Sequence, residues 1–136
     1  MTFRHLALLT SLLLFSLAIG WMFFPEQMLA QWGVQYSDGA GLVSRRGAAF
    51  YLGFAIMFFM ARNVEHSITR MALIKGIIAT CIVLISLALY EISVGHANKQ
   101  ILIAALIEAI LGLAFLYVWR TSGKKHKVIN HSRIQK

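Results

Sequence analysis

The chain of 136 residues suffices for one compact unit, and it is 59% apolar with only 13% charged residues. Soluble domains carry about a quarter charged residues, and a soluble helical protein would need polar helix faces that the long apolar runs here lack. The net charge of +8 would suggest nucleic acid in a soluble domain, but most of the excess collects at the C-terminal end. There it reads as a topology signal and an attraction to anionic lipid, with no nucleic-acid partner. The fold class that follows is all-α: an integral membrane four-helix bundle with a short interfacial helix between the first and second spans.

Arg4 and His5, an apolar run from Leu6, and Ala18-Ile19-Gly20 imitate a secretory signal with a cleavage site. The run continues through Trp21, Met22, Phe23 and Phe24, which is long for a signal core, so it reads as a retained first span, Leu6 to Phe24. Trp21 suits the interfacial aromatic belt. Pro25 ends this span and can open a new short helix, Pro25 to Trp32, with Glu26 at the positive end of its dipole. Pro25, Met28, Leu29 and Trp32 recur on one face and Gly33 is a natural stop, as in a helix lying in the membrane interface. Ser37-Asp38-Gly39-Ala40-Gly41 forms a turn, and Ser37 or Asp38 can cap the second span.

That span carries Arg45 and Arg46 at the mouth of a 15-residue apolar run, Gly47 to Ala61. As a helix the run is about 22 Å long against a hydrocarbon core of roughly 30 Å. The two cations therefore lie at or inside the lipid boundary, where charge must be solvated or paired. Arg62 to Ser67 is a polar connection, and the third span covers Met71 to Ile92, with Lys75 placed to snorkel. Ser93 to Lys99 is the last loop. The fourth span runs from Ile101 to Trp119, and Tyr117 and Trp119 mark its far interface. Residues 1–120 thus form the transmembrane domain and 121–136 a basic cytoplasmic tail.

Orientation follows from the lysines and arginines near the span ends. Arg4, Arg62, Arg70, Lys75, Arg120, Lys124, Lys125, Lys127, Arg133 and Lys136 fall on one side, and Arg45, Arg46 and Lys99 on the other. Both termini belong in the cytoplasm by this rule, with the short helix, the arginine pair and the last loop outside.

Glu91, near the outer end of the third span, and Glu108, about 10 Å from the outer end of the fourth, join Arg45 and Arg46 in the outer half of the bundle. Pairing would neutralise charges that lipid cannot solvate. Ala104, Glu108 and Gly112 share a helix face whose small members leave room for an arginine. Two roles fit such pairs: an ion pair that fixes helix register, or an outward-facing pocket. In the pocket an arginine fork binds an anionic or polar ligand and Glu108 is a proton-sensitive counter-ion.

Other residues point to no reaction. Cys81 stands alone in an apolar run and reads as a small hydrophobe, and dithiol chemistry within one chain is excluded. His5, His66, His96, His126 and His131 lie at span edges, in loops or in the tail, so no histidine pair holds a haem inside the bilayer. No metal motif, catalytic triad or phosphate-binding loop is present, so neither cofactor nor metal is expected. Lys124-Lys125-His126-Lys127 reads as an anchor to anionic lipid. Asn130-His131-Ser132 fits a glycosylation sequon on the wrong side of the membrane. Ala49–Gly53 and Ala105–Ala109 are small-xxx-small pairs that serve internal packing and dimerisation equally well.

Phe24-Pro25-Glu26, Trp32-Gly33-Val34, Ser44-Arg45-Arg46-Gly47, Tyr51-Leu52-Gly53 and Ala61-Arg62, followed by Glu108, carry a resemblance. Over most of residues 6–120 the chain resembles a family of small bacterial four-helix inner-membrane proteins, loosely similar to DoxX-like proteins. The likeness implies the four-helix fold, a bacterial inner membrane and a shared arginine and acid, with Arg46 and Glu108 as the matching positions. It implies no catalytic residues. The expected function is a small accessory or interaction subunit, not an enzyme, packing against a larger membrane complex or itself. The alternative is a small transporter or hydrophobic- or anionic-ligand binder using the outer Arg–Glu pocket.

Overall fold

The computed structural model of the protein describes residues 2–65 and 67–134, with side chains placed as far as Thr121. Five helices follow one another: α1 (Phe3–Phe23), α2 (Pro25–Gln31), α3 (Asp38–Ala61), α4 (Ile68–Val94) and α5 (Ile101–Ile134). Among the described residues there is no strand, and α1, α3, α4 and the Ile101–Thr121 part of α5 are long and apolar enough to cross a membrane. The all-α fold with four helices of spanning length read from the sequence is the fold observed. It is the form a lipid environment demands, because only a helix satisfies every backbone N–H and C=O within its own segment.

The helix ends differ from the sequence reading where a cap decides them. α1 starts at Phe3, not Leu6, because Thr2 takes the extended cap conformation and its carbonyl accepts from Leu6 N–H at 3.2 Å. Ser37, not Asp38, caps α3, its hydroxyl accepting from Ala40 N–H at 3.1 Å. Ser67 caps α4 by accepting from Arg70 N–H, which moves the start back from Met71 to Ile68. α5 does not stop at Trp119: its backbone stays helical to Ile134, through the stretch expected to be a separate tail. Lysine and arginine there are good helix formers, and no proline interrupts them.

Packing resolves into two helix pairs. α3 lies along α1, α5 lies along α4, and a shorter contact between α1 and α5 joins the pairs. The α1–α3 contact is built on small residues: Ala48 is buried with Trp21 and Leu29, Ala55 is buried with Leu6, Ala7 and Leu14, and the Ser11 hydroxyl donates to the Ala55 carbonyl at 2.8 Å. Close backbone approach and interhelical hydrogen bonds are what hold spans together where the hydrophobic effect cannot. In the α4–α5 pair, Ala88 packs with Ile101 and Ala105, and Gly112 faces Cys81.

The four spans meet at one end of the bundle. There Phe3 and Leu6, Phe58, Ile74, and Phe115 and Val118 form one cluster, with the Phe58 and Phe115 rings 5.6 Å apart. The opposite end is latched by backbone. Asn98 N–H donates to the Trp32 carbonyl at 2.8 Å and its amide to Gln31 at 3.0 Å, while Trp32 packs on Trp21 with ring centroids 5.1 Å apart.

A side chain at Gly112 is crowded, since its Cβ would lie 3.3 Å from the Cys81 Cβ, whereas one at Gly76 meets nothing within 4 Å. Gly112→Leu is expected to lower unfolding stability in bicelles by about 1–3 kcal/mol through overpacking. Gly76→Leu, which shares any gain in helix propensity, is expected to show no such loss.

Candidate functional site

The seven-residue recurrence Gly41, Ala48, Ala55 marks the buried stripe of α3, flanked by Tyr51 and Phe58. Arg46, two residues before Ala48, is turned about 160° from it at 100° per residue. Both Arg45 and Arg46 are exposed, and neither forms a salt bridge with Glu91 or Glu108 among the described residues. The expected Arg–Glu cluster is therefore not assembled. Its geometric premise was that α3 presents its arginines to α5. Instead α3 packs along α1, and the packing of Ala48 and Ala55 turns Arg46 outward, while Arg45, about 60° from Ala48, is exposed near the start of the helix.

Glu91 finds a different partner. Gly95, with φ 81°, ends α4 in the left-handed region that glycine enters freely. His96 N–H then donates to the Glu91 carbonyl at 3.0 Å and Gly95 N–H to Ile92 at 3.1 Å, which is a Schellman ending. This turn brings His96 Nδ1 within 3.0 Å of Glu91 Oε2. The pair sits at the exposed end of the helix, where such contacts contribute little.

Glu108 lies on the α5 stripe made by Ile101, Ala105, Gly112 and Phe115, which turns toward the other helices. It is half-buried, and its Oε2 is covered by protein without a hydrogen-bond partner among the described residues. Tyr51 of α3 and Cys81 of α4 lie within electrostatic range of its carboxylate. Tyr51 packs against both the Phe58 cluster and the Trp21 cluster, which puts the group at mid-height of the bundle. Of the four residues named from the sequence, the structure thus keeps Glu108 inside, sends Glu91 to His96, and leaves both arginines on the outer surface.

Tyr51 was missed as a site residue, although it stands between Ala48 and Ala55 at helical spacing, and that was the available signal. Among the described residues, no three His, Cys, Asp or Glu side chains converge as metal ligands would. His5 bonds Thr2 Oγ1 at 2.7 Å at the start of α1. His66, and the side chains of Lys124, Lys125, His126, Lys127 and His131, lie outside the described residues. Compared with protein-family models, curated proteins and solved structures, the chain finds no match.

Because both arginines are exposed, Arg45→Ala and Arg46→Ala are each expected to change unfolding stability by no more than about 0.5 kcal/mol. Breaking a buried pair would instead lower it by about 3–5 kcal/mol. Steric-trap or denaturant unfolding in bicelles distinguishes the two.

Proposed function

We propose that the protein is a small integral membrane accessory subunit, without catalytic activity of its own. It docks on a span of a larger membrane protein through the outward face of α3. One observation carries this reading: Arg46, Ala49 and Gly53 align on that face, all exposed, and a Cβ at Gly53 would meet nothing within 4 Å. The bundle uses the other small-xxx-small pair internally, since Ala105 is buried with Ala88 and Ile101. What remains on α3 is a shallow track where another helix can approach closely, headed by an arginine fork suited to a carboxylate or carbonyl acceptor. The partner is accordingly a span with an acidic or amide side chain at the level of Arg46.

The proposed setting is a bacterial inner membrane with both termini cytoplasmic. The grouping of charges supports it: Arg62, Arg70 and Arg120 share one end of the bundle with the start of α1, and Arg45, Arg46 and Lys99 share the other with α2. The basic C-terminal segment would then lie on anionic lipid headgroups. Kinship with DoxX-like proteins belongs to the same proposal.

A photo-crosslinking residue at position 49, activated in native membranes, is expected to give one defined protein adduct. The same probe at Ile82, on the exposed side of α4, should give only lipid. Arg46→Glu and Gly53→Leu should each reduce the adduct severalfold. An adduct with a second copy would replace the foreign partner by self-association, and lipid alone at both positions would remove the interaction reading. An alkaline phosphatase fusion at the C-terminus is expected to be inactive, and activity would reverse the orientation.

A further inference from the structure

We infer that the seam between α3 and the α4–α5 pair is a binding site for a lipophilic organic cation, with Glu108 as its counter-charge and Tyr51 as an aromatic wall. This uses the inward faces of the helices and is independent of docking on the outward face of α3.

The argument begins with the disposition of charge. Arg45 and Arg46 are exposed, and Glu91 is held by His96. The Arg62 guanidinium donates to the carbonyl of Phe59 and sits 3.9 Å from the centre of its ring, and Arg70 lies 4.3 Å from that of Phe3. Among the described residues no cation forms a salt bridge with Glu108, and its Oε2 is covered without a partner. An intramembrane acid so placed is expensive to keep and marks a site for a charge or a donor that arrives from elsewhere.

The seam gives that partner a place. α3 packs along α1 and α5 along α4, so α3 meets the second pair mainly through side chains. The Phe58–Phe115 ring contact closes one end, and Trp32, packed on Ala88, Ile101 and Ala105, closes the other. Between the closures lie Glu108 and Tyr51, both only half-buried, beside the apolar Leu111.

The donor set selects the ligand. A hard metal ion needs about six oxygen ligands, and the seam offers one carboxylate and one phenol. An anion would meet the carboxylate's own charge. A delocalised or quaternary organic cation enters from lipid with its apolar body, needs no full shell of oxygens, and gains from both the carboxylate and the face of an aromatic ring.

The probe is tetraphenylphosphonium, titrated into the full-length protein in nanodiscs and read by calorimetry. Saturable binding is expected, weakened at least about tenfold by Glu108→Gln, as loss of a charged contact implies. Glu108→Asp should recover part of it, Tyr51→Leu should weaken it severalfold, and Glu91→Gln should leave it unchanged. The neutral analogue triphenylphosphine oxide should not compete. In the unmodified protein, tetraphenylphosphonium should also slow labelling of Glu108 by dicyclohexylcarbodiimide severalfold, read by intact mass, which removes any dependence on variant folding. Absence of saturable binding, undiminished binding by a folded Glu108→Gln, equal competition by the neutral analogue, or unprotected labelling would each overturn the inference.

Discussion

The contact between α1 and α3 sets the arrangement of everything else. In a bilayer the helices gain nothing by hiding apolar surface from one another, so small residues and interhelical hydrogen bonds decide which faces meet. Ala7, Ala48 and Ala55 permit the approach, and the Ser11 hydroxyl on the Ala55 carbonyl pins it. Once α3 is rotated to place Ala48 and Ala55 on α1, Tyr51 must point into the bundle and Arg46 must point away from it.

The second pair obeys the same rule with different residues. Gly112 lets α5 sit against Cys81, and Ala88 and Ala105 continue the close contact toward the Asn98 latch. Two tightly packed pairs joined through aromatic side chains leave a less intimate boundary between them. Glu108 stands on that boundary. The position reconciles an acid in an apolar helix with a stable bundle: its surroundings are partly open, and a single carboxylate does not have to be buried outright.

The two proposed activities divide the molecule by face. Outward, α3 carries an arginine above a track of small residues that internal packing leaves unused. Inward, α3 brings Tyr51 toward the acid of α5. A cation held in the seam and a partner held outside would each use its own face of α3.

Much of the architecture was legible in the chain. Run length and the scarcity of charge determine four spans, since lipid admits no unsatisfied backbone, and Pro25 with Gly33 delimits the short helix between the first two. Helix ends were legible only in part, because Thr2 enters α1 through its extended backbone and Ser67 caps α4 through a side-chain hydrogen bond, neither of which periodicity reveals. The candidate site was legible as a set of charged residues but not as a set of contacts. Sequence position placed Arg45, Arg46, Glu91 and Glu108 in the same half of the bundle, and depth along a span is a one-dimensional property. Which face each residue presents depends on helix rotation about its axis, and rotation is decided by the partner a helix packs against. Only the tertiary structure could pair α3 with α1, and that choice turned Arg46 to the surface and brought Tyr51 toward Glu108, while the Gly95 turn gave Glu91 to His96.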